Sequence, residues 1–234
     1  MTDLRKNLRE GLMAGWPICL GYIPLGLALG VLAQKAGLWP VDVMLMSLLV
    51  FAGSAQFIAI SMLVSGAGPL SIIAMTFVVN LRHLLLSASL AVHLRDVHKI
   101  LLSLFAYGVT DESFAINMNR FRSGKWGLQQ AMTVNTIANI TWITSTTIGC
   151  YAGELIPAGA FGIDYALTAM FICLLIFQIH NLFHVFAAVI SGVLAVVLSL
   201  EMENNLYIVI ASVIAATVCL LIQRRKATTQ ERQE

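Results

Sequence analysis

Residues 69–92 read PLSIIAMTFVVNLRHLLLSASLAV, and this stretch decides the fold class. Its apolar length matches the roughly 20 residues that a helix needs to cross the hydrocarbon core of a bilayer. Arg82 nevertheless lies near its middle, where insertion of an arginine costs about 3 kcal/mol. Because about ten mainly apolar positions lie on either side, the guanidinium cannot easily reach an interface and needs a counter-ion or water inside the protein.

The rest of the chain has the same membrane character. Of its 234 residues, 59% are hydrophobic and only 11% are charged, against about a quarter charged in soluble domains. No basic run with interleaved aromatic residues is present, so the sequence does not predict a nucleic-acid partner. Eight apolar segments are predicted to span the bilayer, at about residues 12–33, 42–64, 69–92, 100–118, 128–151, 163–179, 182–200 and 204–222.

These segments predict an all-α, polytopic integral membrane bundle of seven or eight spans, because the fourth and sixth are short enough to be broken. Residues 1–222 are predicted to form a single transmembrane domain, and residues 223–234 a short polar tail. With eight spans and both termini in the cytoplasm, ten lysines and arginines lie on the cytoplasmic side and three outside. That bias is the one that orients membrane proteins, although the loop HLRDVHK at 93–99 runs against it.

The first segment contains residues that interrupt helices. Residues 15–30 read GWPICLGYIPLGLALG, in which Pro17 and Pro24 each remove a backbone hydrogen-bond donor. We predict a first helix that is broken or kinked at Pro24. Irregular backbone at membrane depth is tolerated only where it is buried in protein or lines a cavity.

The second segment carries a similar signal at residues 50–60, VFAGSAQFIAI. Gly53 and its small neighbours allow close approach of another backbone, which is commonly a packing role. Gln56 is a polar side chain at mid-depth. Both residues are therefore candidates for the lining of a pathway.

The polar residues of segment 69–92 do not share one face. Asn80 and His83 follow helical spacing and lie on one side, whereas Arg82 lies nearly opposite Asn80. A regular helix of this kind has no clean lipid-facing side near its middle. We therefore expect it to be central in the bundle.

The fourth segment supplies candidate counter-ions in AYGVTDESFA, residues 106–115. Asp111 and Glu112 are adjacent, so they point about 100° apart on a helix and cannot face one cavity equally. Either acid could pair with Arg82, which leaves the other for a substrate cation or a proton. A buried ion pair that only fixes helix register is the structural alternative.

The fifth segment is strongly polar for a span. Asn135, Asn139, Trp142 and Thr146 form one stripe at i, i+4, i+7 and i+11. Such residues often only join helices together. The tryptophan in the stripe favours a cavity lining slightly, so Asn139 is taken as a candidate pathway residue.

The other candidate site residues are Asp164, His180 and His184. Asp164 opens the sixth segment and is either a helix cap or a proton or substrate contact near the outer mouth. His180 and His184 have the spacing of metal ligands, but no third ligand is evident, so no metal and no cofactor are expected. The combination of a guanidinium, carboxylates and free helix ends in apolar surroundings suits a small zwitterion such as an amino acid.

Five blocks of the sequence resemble the successive motifs of the AzlC family, in the same order and with similar spacing. The blocks are GYIPLGLALG (21–30), VFAGSAQF (50–57), NLRHLL (80–85), GVTDESFA (108–115) and GIDYALTAMF (162–171). The resemblance covers about residues 11–175. AzlC proteins are the large subunits of bacterial branched-chain amino acid exporters.

The resemblance implies an inner-membrane protein of a bacterium that exports leucine, isoleucine, valine and sometimes methionine, driven by the proton gradient. It also implies a small membrane partner subunit of the AzlD type. The positions that match the family motifs are Pro24, Gly53, Gln56, Asn80, Arg82, His83, Asp111, Glu112 and Asp164. The polar stripe of the fifth segment adds Asn139 as a pathway candidate.

Two other functional classes stay open beside the exporter. A channel, or a structural membrane subunit for another small zwitterionic metabolite, would use the same polar groups without coupling. An intramembrane enzyme is less favoured, because the chain has no GxSG and no histidine with an obvious serine partner. The exporter hypothesis therefore predicts no enzymatic activity.

Overall fold

The fold comes from a computed structural model and is helical over the parts of the chain that it describes. The described residues are 2–95, 97–124, 126–155, 172, 175–176, 179, 182–202, 210–211, 214–215 and 217–219. The helices with described bounds are α1 (Thr2–Lys35), α2 (Pro40–Leu49), α3 (Gly53–Val64), α4 (Pro69–Ala91), α5 (Lys99–Tyr107), α6 (Asp111–Arg122), α7 (Leu128–Leu155) and α8 (Leu182–Glu201). The prediction of an all-α membrane protein is confirmed.

Three helices in the described ranges are long and apolar enough to cross a membrane by themselves: Leu4–Lys35, Pro69–Ala91 and Leu182–Leu200. The second and fourth predicted spans are each divided into two shorter helices, α2 with α3 and α5 with α6. The sixth and eighth predicted spans lie mostly outside the described residues. The number of spans therefore stays a prediction.

Of the break or kink predicted at Pro24, the break is wrong and the kink stays a prediction. Helix α1 runs from Thr2 to Lys35 without interruption and contains both Pro17 and Pro24. The proline rings remove the amide donors that the carbonyls of Met13 and Leu20 would otherwise receive. Membrane helices tolerate this loss because neighbouring helices support them, and α7 packs along most of α1.

Glycines bring α1 and α7 into close contact. Those in GxxxG spacing are Gly11, Gly15, Gly26 and Gly30 on α1, and Gly149 and Gly153 on α7. A Cβ atom at Gly30 would lie 2.0 Å from the carbonyl oxygen of Thr146, and one at Gly149 would lie 2.3 Å from that of Leu27. Small residues at this spacing let the two backbones touch, which is a common way of packing helices in lipid.

The two helices run in the same direction. Gly11, near the start of α1, meets Thr133 near the start of α7, and Gln34 at the end of α1 meets Gly153 at the end of α7. The predicted topology likewise has its first and fifth spans crossing in the same direction. The packing is thus compatible with an odd number of crossings between them, as in the predicted topology, where three spans intervene.

The first break lies between α2 and α3. Helix α2 ends at Leu49, and Val50 leaves the helical conformation with φ −126° and ψ 84°. Helix α3 then begins at Gly53, where a Cβ atom would lie 3.0 Å from Cη2 of Trp142. The glycine therefore allows the start of α3 to rest on the Trp142 indole.

The second break lies between α5 and α6 and ends in a well-formed cap. The N–H of Thr110 donates to Ser113 Oγ at 2.9 Å, and the N–H of Ser113 donates to Thr110 Oγ1 at 3.3 Å. This reciprocal pair is a capping box, which fixes where α6 begins. Val109 within the break is buried in an apolar cluster with Leu90 and Phe105, which anchors the end of α4 beside it.

Contacts group the chain into two compact units. One comprises Met1–Ser61 with Val79–Ile163, and the other comprises Met62–Val78 with Asp164–Glu234. Both breaks, and every described residue of the candidate site below, belong to the first unit.

Candidate functional site

Arg82 connects the starts of two helices. Its Nη1 lies 2.9 Å from Oδ2 of Asp111, the first residue of α6, and its Nη2 donates to the hydroxyl of Ser54 in the first turn of α3. The sequence left the choice between Asp111 and Glu112 open, and the structure pairs Arg82 with Asp111. The ion pair therefore lies where the two half-helices after the breaks begin.

The electrostatics of this point favour anions. The first turns of α3 and α6 are the positive ends of the helix dipoles, and their N–H groups, apart from the Ser113 N–H that Thr110 caps, have no partner within the helix. Together with the guanidinium they outweigh the single carboxylate of Asp111. The side chains of Arg82 and Asp111 are 33% and 49% exposed, so the pair is accessible and is not a sealed structural salt bridge.

The end of α2 also contacts the end of α5, on the N-terminal side of the two breaks. The hydroxyl of Tyr107, the last residue of α5, donates to the carbonyl oxygen of Leu48 in the last turn of α2. The two broken segments thus contact each other at their breaks. Interrupted membrane helices that present their ends to a ligand are a known form of ion and substrate site.

Glu112 faces a different partner. Its Oε2 accepts a hydrogen bond of 2.7 Å from the hydroxyl of Tyr22, which also lies 2.9 Å from Oγ1 of Thr110. Tyr22 is buried on α1, where its ring packs edge to face against Trp142 at 5.2 Å and Phe51 at 6.2 Å. The two adjacent acids are thus divided between α4 and α1.

Sequence reasoning missed Tyr22, although it lies two residues before Pro24 in the GYIPLG block. The signal that could have found it is a phenol in the apolar first span, since a buried tyrosine hydroxyl requires a partner. Pro24 itself lies inside continuous α1, so the structure gives it no break at which to line a pathway.

His83 and Asn80 lie beside the second break. Nδ1 of His83 is 2.8 Å from the carbonyl oxygen of Val109, between α5 and α6. Three buried polar atoms of this turn of α4 have no hydrogen-bond partner among the described residues: Asn80 Oδ1, Arg82 Nε and His83 Nε2. Unsatisfied groups are uncommon in folded proteins and mark a place where water or a ligand binds.

The expectation that α4 is enclosed on all sides is wrong. Leu81, Leu84 and Leu85 are exposed beside Arg82, and only Leu90 of α4 is fully buried. The helix interacts with its neighbours mainly through Arg82 and His83 at mid-length and through Leu90 near its end. Its leucine face is free for lipid or for another membrane subunit.

Gln56 lies in a closed network and does not line a cavity. Its Oε1 accepts from Trp142 Nε1 at 2.7 Å, and its Nε2 donates to Ser47 Oγ at 3.1 Å. Ser47 Oγ lies 2.9 Å from Thr146 Oγ1. Because Gln56 is 1% exposed and its amide is bonded at both ends, its first role is to join α2 and α3 to α7.

The stripe on α7 is likewise a joining surface over most of its length, contrary to the cavity lining that Trp142 favoured. Asn135 accepts from Asn117 at 3.1 Å and donates to the carbonyl of Phe105 at 3.1 Å, so it holds the second broken segment. Trp142 and Thr146 hold the first. Asn139 lies between these two sets, and its buried Nδ2 has no partner in the described part of the chain.

The other candidate residues named from the sequence are Gly53 and Asp164. Gly53 packs against Trp142, as described above. Asp164 lies outside the described residues. Within the described ranges, no group of three or more His, Cys, Asp and Glu side chains is arranged to hold a metal ion.

Comparison with known proteins gives a consistent set of relatives. The family model described as AzlC protein matches residues 17–156, which include every described site residue. An uncharacterized membrane protein of Archaeoglobus fulgidus is 31% identical over 219 residues, covering 91% of this chain and 94% of the relative.

Two named bacterial proteins are also similar. The branched-chain amino acid transport protein AzlC of Bacillus subtilis is 31% identical over 163 residues, covering 69% of this chain and 64% of the relative. The inner membrane protein YgaZ of Escherichia coli is 29% identical over 224 residues, covering 90% and 86%. No solved structure matches the chain significantly.

Proposed function

This chain belongs to the AzlC family, and from that premise we propose that it is the large subunit of a secondary exporter of branched-chain amino acids. The name of the Bacillus subtilis relative supports the substrate class. The observation that carries the proposal is the accessible Arg82–Asp111 ion pair where α3 and α6 begin.

An ion pair of this kind can exchange partners with a zwitterion. The substrate carboxylate replaces Asp111 at the Arg82 guanidinium and at the N-terminal amides of α3 and α6, and its ammonium pairs with the released Asp111. Total charge is unchanged throughout, so the exchange avoids an isolated charge at membrane depth. The same charge balance suits alternating access, in which the empty carrier closes on its own ion pair.

Specificity for a branched side chain comes from apolar neighbours. Leu85, at the edge of the leucine face of α4 and one turn after Arg82, is exposed and offers an aliphatic contact. Leucine, isoleucine and valine, and in some cases methionine, bury such a side chain at about 25 cal/mol per Å² of apolar area. A charged or strongly polar side chain gains nothing there.

The setting proposed for the exporter follows the same premise. The chain works in the inner membrane of a bacterium with both termini in the cytoplasm, and it assembles with a small membrane subunit of the AzlD type. Proton entry supplies the energy, and the protein is a carrier and not an enzyme. The alternative, a channel or structural subunit for another zwitterion, has no specific observation in its favour.

The experiment that tests the proposal is a dipeptide-loading assay. Cells with and without the chain and its partner subunit are loaded with leucine- or valine-containing dipeptides, and intracellular free leucine and valine are followed. An exporter lowers the accumulated amino acid, whereas equal accumulation in both strains rejects the proposal. Adding an uncoupler separates a proton-driven carrier, which stops, from a channel, which continues.

A further inference from the structure

The imidazole of His83 has one nitrogen bonded and one buried without a partner. Since the carbonyl of Val109 can only accept, Nδ1 at 2.8 Å carries the hydrogen. Nε2 is buried, and none of the described residues donates to it or accepts from it. In the neutral ring, Nε2 is therefore a basic lone pair enclosed by protein.

Asn80 provides a second buried acceptor one helical turn before His83. Its Oδ1 also lacks a partner in the described parts of the chain. Residues three apart on a helix are neighbours on one face, with Cβ atoms about 5–6 Å apart. A proton added to His83 Nε2 turns it into a donor, and Asn80 Oδ1 is an unsatisfied acceptor one turn earlier on the same face.

The acidic groups nearby already have partners. Asp111 pairs with Arg82, and Glu112 accepts from the Tyr22 hydroxyl. The titratable or charged groups that bond at the two breaks beside His83 are Arg82 on α4, Tyr107 on α5, Asp111 and Glu112 on α6, and Tyr22 on α1. The Tyr107 hydroxyl is bonded to Leu48 as well. His83 Nε2 is thus the titratable atom left without a partner in the described site.

We propose that Nε2 of His83 binds the proton that drives export, with Asn80 Oδ1 as its hydrogen-bond acceptor. The inference rests on the proposed function for the direction of transport. A proton from outside binds Nε2 and produces an imidazolium that keeps its Nδ1–H bond to Val109. Its charge, one residue from Arg82, competes with the substrate ammonium for Asp111 and so displaces the zwitterion to the outside. Release of the proton to the cytoplasm restores the pair.

The proton site can be tested without transport. The chain is labelled with ¹⁵N-histidine, reconstituted in lipid nanodiscs and studied by NMR, and the signals missing in His83→Asn identify His83 among the five histidines. We expect the Nδ1–H tautomer in the neutral ring and a second proton on Nε2 when the sample is acidified. A ring that takes up no second proton over the pH range in which the protein stays folded, or that carries its hydrogen on Nε2 when neutral, overturns the proposal.

The coupling role needs a transport measurement with a matched control. His83→Asn keeps a side-chain N–H that can reach Val109 but cannot bind a proton. His98→Asn is the control, because His98 is an exposed cap of α5 and asparagine caps equally well. Vesicles containing the chain and its partner subunit are assayed for leucine counterflow without a gradient and for efflux driven by a pH difference.

We expect His83→Asn to retain counterflow and to lose the stimulation by the pH difference, whereas His98→Asn retains both. Gradient-driven efflux at the parental rate in His83→Asn overturns the coupling role, and so does loss of counterflow, since substrate passage itself would then depend on the ring. A parent chain that moves no leucine refutes the proposed function instead. The NMR titration still decides the proton site in that case.

Discussion

The Nη1 atom of Arg82 lies 2.9 Å from Oδ2 of Asp111, which joins the middle of α4 to the first residue of α6. Ser54, in the first turn of α3, accepts from the same guanidinium. Arg82, the residue with the highest free energy of insertion into a bilayer, therefore lies where the half-helices α3 and α6 begin.

The first prediction concerns the contact between α1 and α7. Gly30→Ala puts a Cβ atom 2.0 Å from the carbonyl oxygen of Thr146, and no flexible side chain can move away to relieve the clash. We expect a loss of about 1–3 kcal/mol in the free energy of unfolding, as in other overpacked interfaces. The measurement is thermal unfolding of the detergent-purified protein, together with its abundance in membranes.

Gly21→Ala is the matched control, because nothing lies within 4 Å of the Cβ position there. It should unfold at the parental temperature or slightly above it, since alanine favours a helix. Equal melting temperatures for the two variants would show that α1 and α7 are not in backbone contact.

The second prediction concerns the Tyr22 hydroxyl. Tyr22→Phe keeps the ring between Trp142 and Phe51 but removes the donor to Glu112. A buried hydrogen bond to a carboxylate contributes about 1.5–3 kcal/mol, so the variant should unfold at a lower temperature.

Tyr151→Phe, on the exposed side of α7, serves as the reference and should be neutral. Neutral behaviour of Tyr22→Phe in the same melting experiment would mean that Glu112 is not held by α1. The accompanying leucine-efflux rate then tells whether the bridge matters for transport as well as for stability.

The third prediction concerns the network around Gln56. Gln56→Leu leaves the buried Trp142 N–H without an acceptor, whereas Ser47 loses one hydrogen bond and keeps the one to Thr146. An unpaired buried donor costs about 1–3 kcal/mol, which should appear as a lower midpoint of thermal unfolding. Trp142→Phe added to Gln56→Leu removes the orphaned donor and should recover part of this loss.

A double variant that is as unstable as the sum of the two singles would argue against a direct bond between the side chains. This comparison is a double-mutant cycle. For residues in contact, the change in unfolding free energy of the double variant is expected to differ from the sum of the single changes by about 0.5 kcal/mol or more.

How far the sequence predicts this arrangement differs from residue to residue. Membrane character, the need of Arg82 for an acid, and the short fourth segment all follow from composition, spacing and length. The choice of Asp111 does not, because it depends on a cap at Thr110 that starts a new helix there. In one continuous helix, the two acids would have been equivalent candidates.

The position of the breaks was harder to predict. Pro24 is the conspicuous helix breaker, yet α1 continues through it because α7 packs closely along its glycines. The chain breaks instead at Val50–Ala52, which contains no proline, and at Gly108–Thr110. The first break falls within residues 50–60, whose small residues indicate an interruption, and the second falls in the fourth segment, which is short enough to be broken. Contacts with Trp142 and Asn135 fix the residues at which the helices end and begin.

The stripe on α7 shows the same limit. Its helical period is plain in the sequence, but whether it faces a cavity or other helices depends on its neighbours. Three of its members bond to α2, α3, α5 or α6, and the amide nitrogen of Asn139 has no partner in the described part of the chain. That exception keeps Asn139 among the proposed pathway residues.

The most direct test of the central claim is leucine and valine efflux by the double variant Arg82→Gln with Asp111→Asn. The pair is neutralised together, so no single charge remains and the chain should reach the membrane at parental abundance, as should the exposed control Arg122→Gln. After dipeptide loading, we predict efflux at least about tenfold slower than in the parent, which corresponds to about 1.4 kcal/mol. Efflux at the parental rate from an equally abundant double variant would contradict the account, because the ion pair would then only fix the helices in place.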